Sequence, residues 1–531
     1  MSDELKFFSQ QAARGLVTRR DFLGRAAALG VAAPFATTML SRAVQAAGPK
    51  KGGDLVLGLQ GGSATDSLDP AAFLSDMPTV FGKCWGETLT VTTPDGGVAG
   101  QLAESFEATD SSAKVWMFKL RKGISFHNGK EMDANDVVQT LKRHSSDDSK
   151  SGALGIMKGI ADISADGSHG VVITMKEGNA DLPYLMSDYH LIIQPNGGND
   201  GPDAGIGTGP YTVEVAEHGV RYVGKKFDGH WDDSVGHVDS VEILQVNDPT
   251  ARMSALQSGR IHMMNRADPK TVHLLERLPH IKVESTAGRG HYVFIMHCNT
   301  APFDNNDLRL ALKYSIDREE MVKRVLNGYG SVGNDFPINQ AYPLFPDDIP
   351  QRTYDLDKAK HHFKKSGHSG KILLRTSEVA FPGAVDASVL FQQQASKAGI
   401  ELEIKREPGD GYWSNVWNKQ PFCASYWGGR PTQDQMYSTA YKSDADWNDT
   451  RFFRDDFDKL LSAARTELDE AKRKDMYREM SLMVRDEGGA IIPMFNDFVD
   501  AMNDKVQGYV KDPSGPTPLS NGFAPIRVWL A

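Results

Sequence analysis

Leu102-Ala103-Glu104-Ser105-Phe106 opens a stretch that continues through Phe118-Lys119-Leu120-Arg121-Lys122-Gly123-Ile124-Ser125-Phe126-His127-Asn128-Gly129-Lys130 to Asp133-Ala134-Asn135-Asp136-Val137-Val138. Val115 to Leu120 reads as a strand. His127-Asn128-Gly129 then reads as a turn, with glycine taking the positive φ that residues bearing a Cβ avoid. Asp133 has the side chain of a helix N-cap, and Ala134 to His144 carries helical spacing. His127 in isolation resembles a catalytic residue, but between a strand and a helix it belongs to the turn. Strand, turn and helix in this order set the texture of the whole chain.

Working outward, Leu55 to Leu59 reads as a buried first strand, followed by a Gly/Ser/Asp loop that ends at Leu68-Asp69-Pro70. Val171 to Met175 is a further strand, Tyr211 to Val246 is β-rich, and Pro249 to Gly259 is a short helix ended by glycine. Near residue 285 the pattern changes. Strands at Tyr292–Met296, 371–375, 401–405 and 422–426 alternate with helices at 306–327, 355–365, 385–398 and 455–486. Such alternation predicts α/β layers. At 531 residues the chain exceeds what one hydrophobic core usually supports, so several domains are expected.

The first residues read as an export leader rather than as part of the fold. Arg19-Arg20-Asp21-Phe22-Leu23 precedes an Ala-rich apolar run from Ala26 to Leu40 and the small-residue pattern Val44-Gln45-Ala46. This is the layout of a twin-arginine signal. The run is about 15 residues, against the ~20 that span a bilayer. Three cysteines, Cys84, Cys298 and Cys423, give no disulfide framework. Residues 1–46 hold six basic and three acidic side chains, so the −10 chain keeps −13 without them. An acidic body gains nothing from phosphate counterion release, which argues against a nucleic-acid partner.

The stretch from Leu102 to Val138 resembles the diagnostic run of solute-binding protein family 5, the periplasmic dipeptide-, oligopeptide- and nickel-binding proteins. Further matches follow in order: Gly207-Thr208-Gly209-Pro210-Tyr211, Asp228-Gly229-His230-Trp231-Asp232, Asp248-Pro249-Thr250-Ala251-Arg252, Ala301-Pro302-Phe303-Asp304, Leu308 to Arg318, and Tyr354-Asp355-Leu356-Asp357-Lys358-Ala359. The resemblance implies an α/β, two-lobed periplasmic-binding-protein fold of type II in its large, three-subdomain form. A hinge and an interlobe ligand cleft come with it. The expected division places residues 48–78, 205–285 and 497–531 in the first lobe, 79–204 in an extra subdomain, and 286–496 in the second lobe. It also implies a monomer that closes on a small-molecule ligand, hands it to an ABC permease in the inner membrane, and catalyses nothing.

By the same resemblance, ligand contacts fall in three regions. These are the loop after the first strand with Phe73, Ser75 and Asp76, the strand around Tyr292 to Asn299, and the segment Tyr426-Trp427-Gly428-Gly429-Arg430. Peptide-binding members carry an aspartate three residues after this tryptophan, where it pairs with the peptide ammonium; here Arg430 reverses the charge. An arginine suits a carboxylate, sulfonate or phosphate. Glu378 lies near the position where dipeptide binders hold the peptide carboxylate with an arginine, so a ligand of reversed polarity, or a Glu378–Arg430 pair, are both open. The expected ligand is an opine, a modified amino acid or another small anion or zwitterion. The aromatic stretch Tyr412-Trp413 to Trp417, with Trp447, offers an alternative role as a cation cage. No metal-ligand spacing and no cofactor fingerprint occurs, although a metal chelate bound in the same fold, or an exported enzyme, remain as alternatives.

Overall fold

The computed structural model describes residues 48–531 apart from 147–148, 379, 409–411 and the side chains of 413 and 414, together with positions 22, 24 and 26. The twin-arginine motif and the cleavage pattern lie outside the described residues.

Strand β1 (Asp54–Leu59) sends Leu55, Leu57 and Leu59 to one face, all fully buried. At roughly 2 kcal/mol for each buried leucine, this face anchors the first lobe. Helix α1 (Asp76–Trp85) covers it. A separate four-stranded antiparallel sheet follows, made from β2 (Ala103–Ala108), β3 (Val115–Leu120), β4 (Ile160–Asp166) and β5 (Gly170–Met175) in the order β2-β3-β5-β4. Helix α2 (Ala134–Arg143) packs on it, and Asp133 closes a full capping box with Asp136. The turn before α2 is the expected one, with Gly129 at φ 83°.

The chain then returns to the first sheet through β6 (Tyr211–Glu217), β7 (Arg221–Lys226), β8 (Ser240–Gln245), α3 (Pro249–Gln257) and β9 (Met263–Met264). Strand β10 (Ile281–Met296) crosses into the second lobe. There follow α4 (Asn306–Tyr314), α5 (Arg318–Val325), β11 (Gly330–Val332), α6 (Leu356–Ser366), β12 (Ile372–Thr376), α7 (Ala384–Ser396), β13 (Leu402–Arg406), β14 (Phe422–Trp427), α8 (Gln433–Ala440), α9 (Asp455–Thr466) and α10 (Glu470–Glu487). Strand β15 (Ala490–Asn503) runs back, and β16 (Val506–Gln507) pairs with β17 (Trp529–Leu530) in the tail. One continuous sheet results, in the order β13-β12-β14-β10-β15-β9-β1-β8-β7-β6, with β11 also on β15.

The two long strands β10 and β15 pair from Ile281 opposite Asn503 to Ile295 opposite Ala490, with register shifts after Ala287 and after Tyr292. They are the only strands of this sheet, among the described residues, that run through both halves. The tail joins the first lobe, where Leu519, Phe523, Ile526 and Val528 share a core with Leu55 and Phe81.

Two long helices expected from the sequence are each broken. The span 306–327 divides at Ser315–Asp317, because Asp317 accepts from the backbone N–H of Glu320 and starts a new helix. Its last helical turn ends at Val325, and Gly328 lies beyond at φ 85°. The span 455–486 divides at Glu467–Asp469, where Asp469 caps α10 through Ala471 and Lys472.

Candidate functional site

Strand β14 lies antiparallel to β10, with Trp427 opposite His291 and Tyr426 opposite Tyr292. Trp427 is therefore buried in the core beneath α8 to α10, while Tyr426 is half exposed on the other face. The chain leaves β14 through Gly428-Gly429-Arg430-Pro431. A Cβ on Gly429 would stand 2.5 Å from the Arg289 Cβ, so only glycine lets this turn lie against β10. Arg289, itself buried, holds the turn from behind by donating to the carbonyls of Ala341 (2.8 Å), Arg430 (3.3 Å) and Pro431 (2.7 Å). The Arg430 backbone N–H also donates to the Tyr342 hydroxyl at 3.1 Å.

The backbone at Arg430 is thus fixed, but its charge is not neutralised. The guanidinium donates to the carbonyls of Gly428 (3.1 Å) and Gly429 (3.3 Å) and lies 5.8 Å from the Trp427 ring. No carboxylate pairs with it among the described residues. Burial lowers its pKa, with Tyr342 and Tyr189 acting in the opposite sense. An arginine stays protonated under any such shift.

Arg430 lines a cavity of about 790 Å³ between the turn and α8 on one side and segments 152–159 and 176–190 on the other. This volume lies within the range of small-molecule sites. Two of the carboxylates on its wall are paired, while exposed Lys176 has no carboxylate partner among the described residues. Asp188 meets His190 at 2.6 Å, and Asp434 meets Arg465 at 3.0 Å. Burial lifts the Asp434 carboxyl to about 6 against the opposing charge of Arg465.

The expected contact residues are dispersed. Asp76 forms an ion pair with Arg266 (2.6 and 3.1 Å) and accepts from Asn265 at 2.9 Å. Tyr292 stacks on Phe381 at 4.4 Å, and burial pushes its hydroxyl to about 12. Phe73 is fully buried in the first-lobe core, and its carbonyl accepts from His190 Nε2 at 2.9 Å. Asn299 is exposed just past the far end of β10. Glu378 is exposed 3.6 Å from Arg406, so the Glu378–Arg430 pair does not form in this conformation. Trp417 and Trp447 gather around Trp427, but the indole N–H groups of Trp417 (2.9 Å) and Trp427 (3.1 Å) point at Asp449. Of the expected contact residues, only Arg430 lines the cavity; the Trp427 ring lies 5.8 Å from its guanidinium, Tyr426 and Tyr292 are paired by register on the neighbouring strands, and Phe73, Asp76, Asn299 and Glu378 lie apart. The sequence reading missed the polar face of α8, although Gln435, Ser438 and Thr439 recur at the helical spacing that marks one face.

Residues 97–449 match the profile of the bacterial extracellular solute-binding proteins, family 5, middle region. The chain belongs to this family. It is 23% identical over 458 residues to the dipeptide-binding protein of Escherichia coli K12, covering 79% of this chain and 85% of that one. It is 27% identical over 354 residues to the glutathione-binding protein GsiB of Salmonella paratyphi A, covering 65% and 68%. Among solved structures, the binding protein AgaA of A. tumefaciens R10 in complex with agropinic acid superposes with a TM-score of 0.70 at 21% identity, covering 90% of this chain and 99% of that one. As a family 5 solute-binding protein, the chain is the ligand-capturing partner of an ABC permease and not an enzyme. Among the described residues, no helix is long and apolar enough to cross a membrane.

Proposed function

We propose that this family 5 protein works in the periplasm after twin-arginine export, and that it captures a small organic acid or zwitterion whose anionic group is held by Arg430. We divide it, as the sequence suggests, into a first lobe (48–78, 205–285 and 497–531) with an extra subdomain (79–204), and a second lobe (286–496). Closure pivots where β10 and β15 pass between the lobes. Phe73, Asp76, Tyr292, Asn299, Glu378, Tyr426 and Trp427 join Arg430 in the proposed contact set.

The observation that carries the reading is a guanidinium without a carboxylate on the wall of a ligand-sized cavity. Leaving such a charge without a counterion in a partly dehydrated site is costly, and a bound anion removes the cost with charge-assisted hydrogen bonds. A peptide ammonium at the same place would meet a like charge. Relatives that accommodate glutathione and agropinic acid make acidic ligands compatible with this fold.

Thermal melting against dipeptides, opines and organic acids tests it. A ligand at 100 times its Kd stabilises the native state by about 2.7 kcal/mol, a readily measured shift. Acidic non-peptides should raise Tm, and Arg430→Asp should weaken their binding on the order of thirtyfold or more, the equivalent of about 2 kcal/mol. Ordinary dipeptides giving the largest shift, unaffected by Arg430→Asp, would refute the assignment.

A further inference from the structure

We infer that the captured acid carries a hydroxylated, uncharged body and no free ammonium group. This rests on the reading of Arg430 above and specifies the rest of the same site. Around the cavity, two of the three carboxylates are already engaged. Asp188 is held by His190 and Asp434 by Arg465, while Glu177 is largely in water 3.9 Å from Arg465. An incoming ammonium would have to break one of the two close pairs or rely on solvated Glu177, where a salt bridge contributes little. Among the described residues the site therefore offers two cations without a carboxylate partner, Arg430 beside the turn and exposed Lys176 on the opposite wall, against one loosely held carboxylate, Glu177.

The remaining wall is neutral and rich in mixed hydrogen-bonding capacity. Thr439 donates its hydroxyl proton to the Gln435 carbonyl at 2.6 Å, which leaves its oxygen lone pairs for a ligand donor. Ser438 accepts from Arg465 at 2.6 Å, which leaves its own proton to donate. Asn179 Oδ1 accepts from the backbone N–H of Asp181 at 2.8 Å, and its amide N–H groups meet no acceptor among the described residues. Gln435 Oε1 is buried with no hydrogen-bond partner. Donors and acceptors interleaved in this way complement groups that both donate and accept. A hydroxyl does both; an aliphatic side chain does neither. Buried polar groups left unmatched by an apolar ligand would cost affinity, which gives the wall its discrimination.

The test compares matched acids on the purified protein by titration calorimetry. The probes are D-gluconate, D-galactonate and D-glucuronate, with hexanoate as the deoxy acid, glucitol as the uncharged polyol and Ala-Ala as the peptide. At least one hydroxylated acid should bind ten or more times tighter than hexanoate, glucitol and Ala-Ala. In Ser438→Ala/Thr439→Val the advantage over hexanoate should fall at least fivefold within the same protein, so a general loss of fold cannot mimic the result. Asn179→Ala provides a second variant with the same expectation. The inference is overturned if none of the hydroxylated acids binds, or if hexanoate binds as well as they do. If hexanoate binds in a manner abolished by Arg430→Asp, the acid-binding reading survives and only the hydroxylated body is lost. If Ala-Ala binds best and does not depend on Arg430, both fall together.

Discussion

Asp449 is 2% exposed and accepts hydrogen bonds from two indole N–H groups, those of Trp417 and Trp427. Burial raises its carboxyl to about 7, even though both donors and Arg451 pull the other way. The folded pKa thus lies above the unfolded value near 3.9, and the native state binds more protons than the unfolded chain in between. Stability from this group is greatest in acid and is lost as pH rises from about 4 to about 7. Asp449→Asn keeps an oxygen acceptor for the indoles and removes the titration. Urea unfolding at pH 5 and pH 7.5 should show wild type losing stability over that interval relative to the variant; parallel changes would show that Asp449 does not carry the effect. His144 and His297, held near 4, and His291, held near 3, act with the opposite sign, but they are common to both proteins and cancel in the difference. Residue chemistry of this kind was only half legible in advance. Trp427 and Arg430 stood out because residue type and position together imply a role. Asp449, 22 residues after Trp427, gave no sign that two indoles would converge on it, and Phe73 gave none that its ring would serve the core.

Periodicity predicted helices through 306–327 and 455–486, and both spans are helical on either side of an internal cap. Apolar spacing continues across such breaks because both helices bury the same face of the lobe, so periodicity alone cannot place them. Asp317 and Asp469 were the available signals, since a short acidic side chain that accepts from the next turn's N–H starts a helix wherever it sits. Asp317 accepts from Glu320 at 2.9 Å, and its own N–H donates to Gln394 Oε1 at 2.9 Å, which ties the break to α7. The following Arg318 reaches buried Asp335 at 2.6 Å, and Arg352 reaches the same carboxylate at 2.9 Å. Asp317→Ala removes the cap while leaving that pair in place. It should cost about 1 kcal/mol and lower Tm by roughly 1 °C, with ligand affinity unchanged. An undiminished Tm in scanning calorimetry would show that α5 is held by its packing and its buried ion pairs alone.

At the scale of the whole molecule, the cavity was not legible in the sequence because its walls come from segments more than 200 residues apart. The alternation of strands and helices predicted α/β layers because it depends on local rules, and the two-lobed architecture followed from the resemblance carried by the ordered motifs. The seam between the extra subdomain and the second lobe depends on how the halves meet. There the backbone N–H of Ala180 donates to the Arg465 carbonyl at 2.8 Å, and Arg473 of α10 meets Asp181 at 2.9 Å, both side chains being about 6% exposed. These contacts adjoin the cavity wall formed by Asn179 and Arg465. In this conformation they bury two charges, and the seam is taken to part when the lobes open. Opening returns both to water, whereas removing one charge strands the other in the closed form, a penalty that falls on closure and not on folding. Arg473→Met, which retains much of the apolar stem, should therefore shift the equilibrium toward open molecules. Ligand affinity should drop about tenfold or more, mainly through faster dissociation, while the Tm of the ligand-free protein changes little. Small-angle scattering with saturating ligand should still report a closed particle, because saturation restores closure at the expense of affinity. The double variant Asp181→Asn/Arg473→Met should recover part of the lost affinity, since it leaves no unpaired charge in the seam. A single variant with wild-type dissociation rate would mean that the seam contributes shape alone and that closure is governed by the contacts of the ligand itself.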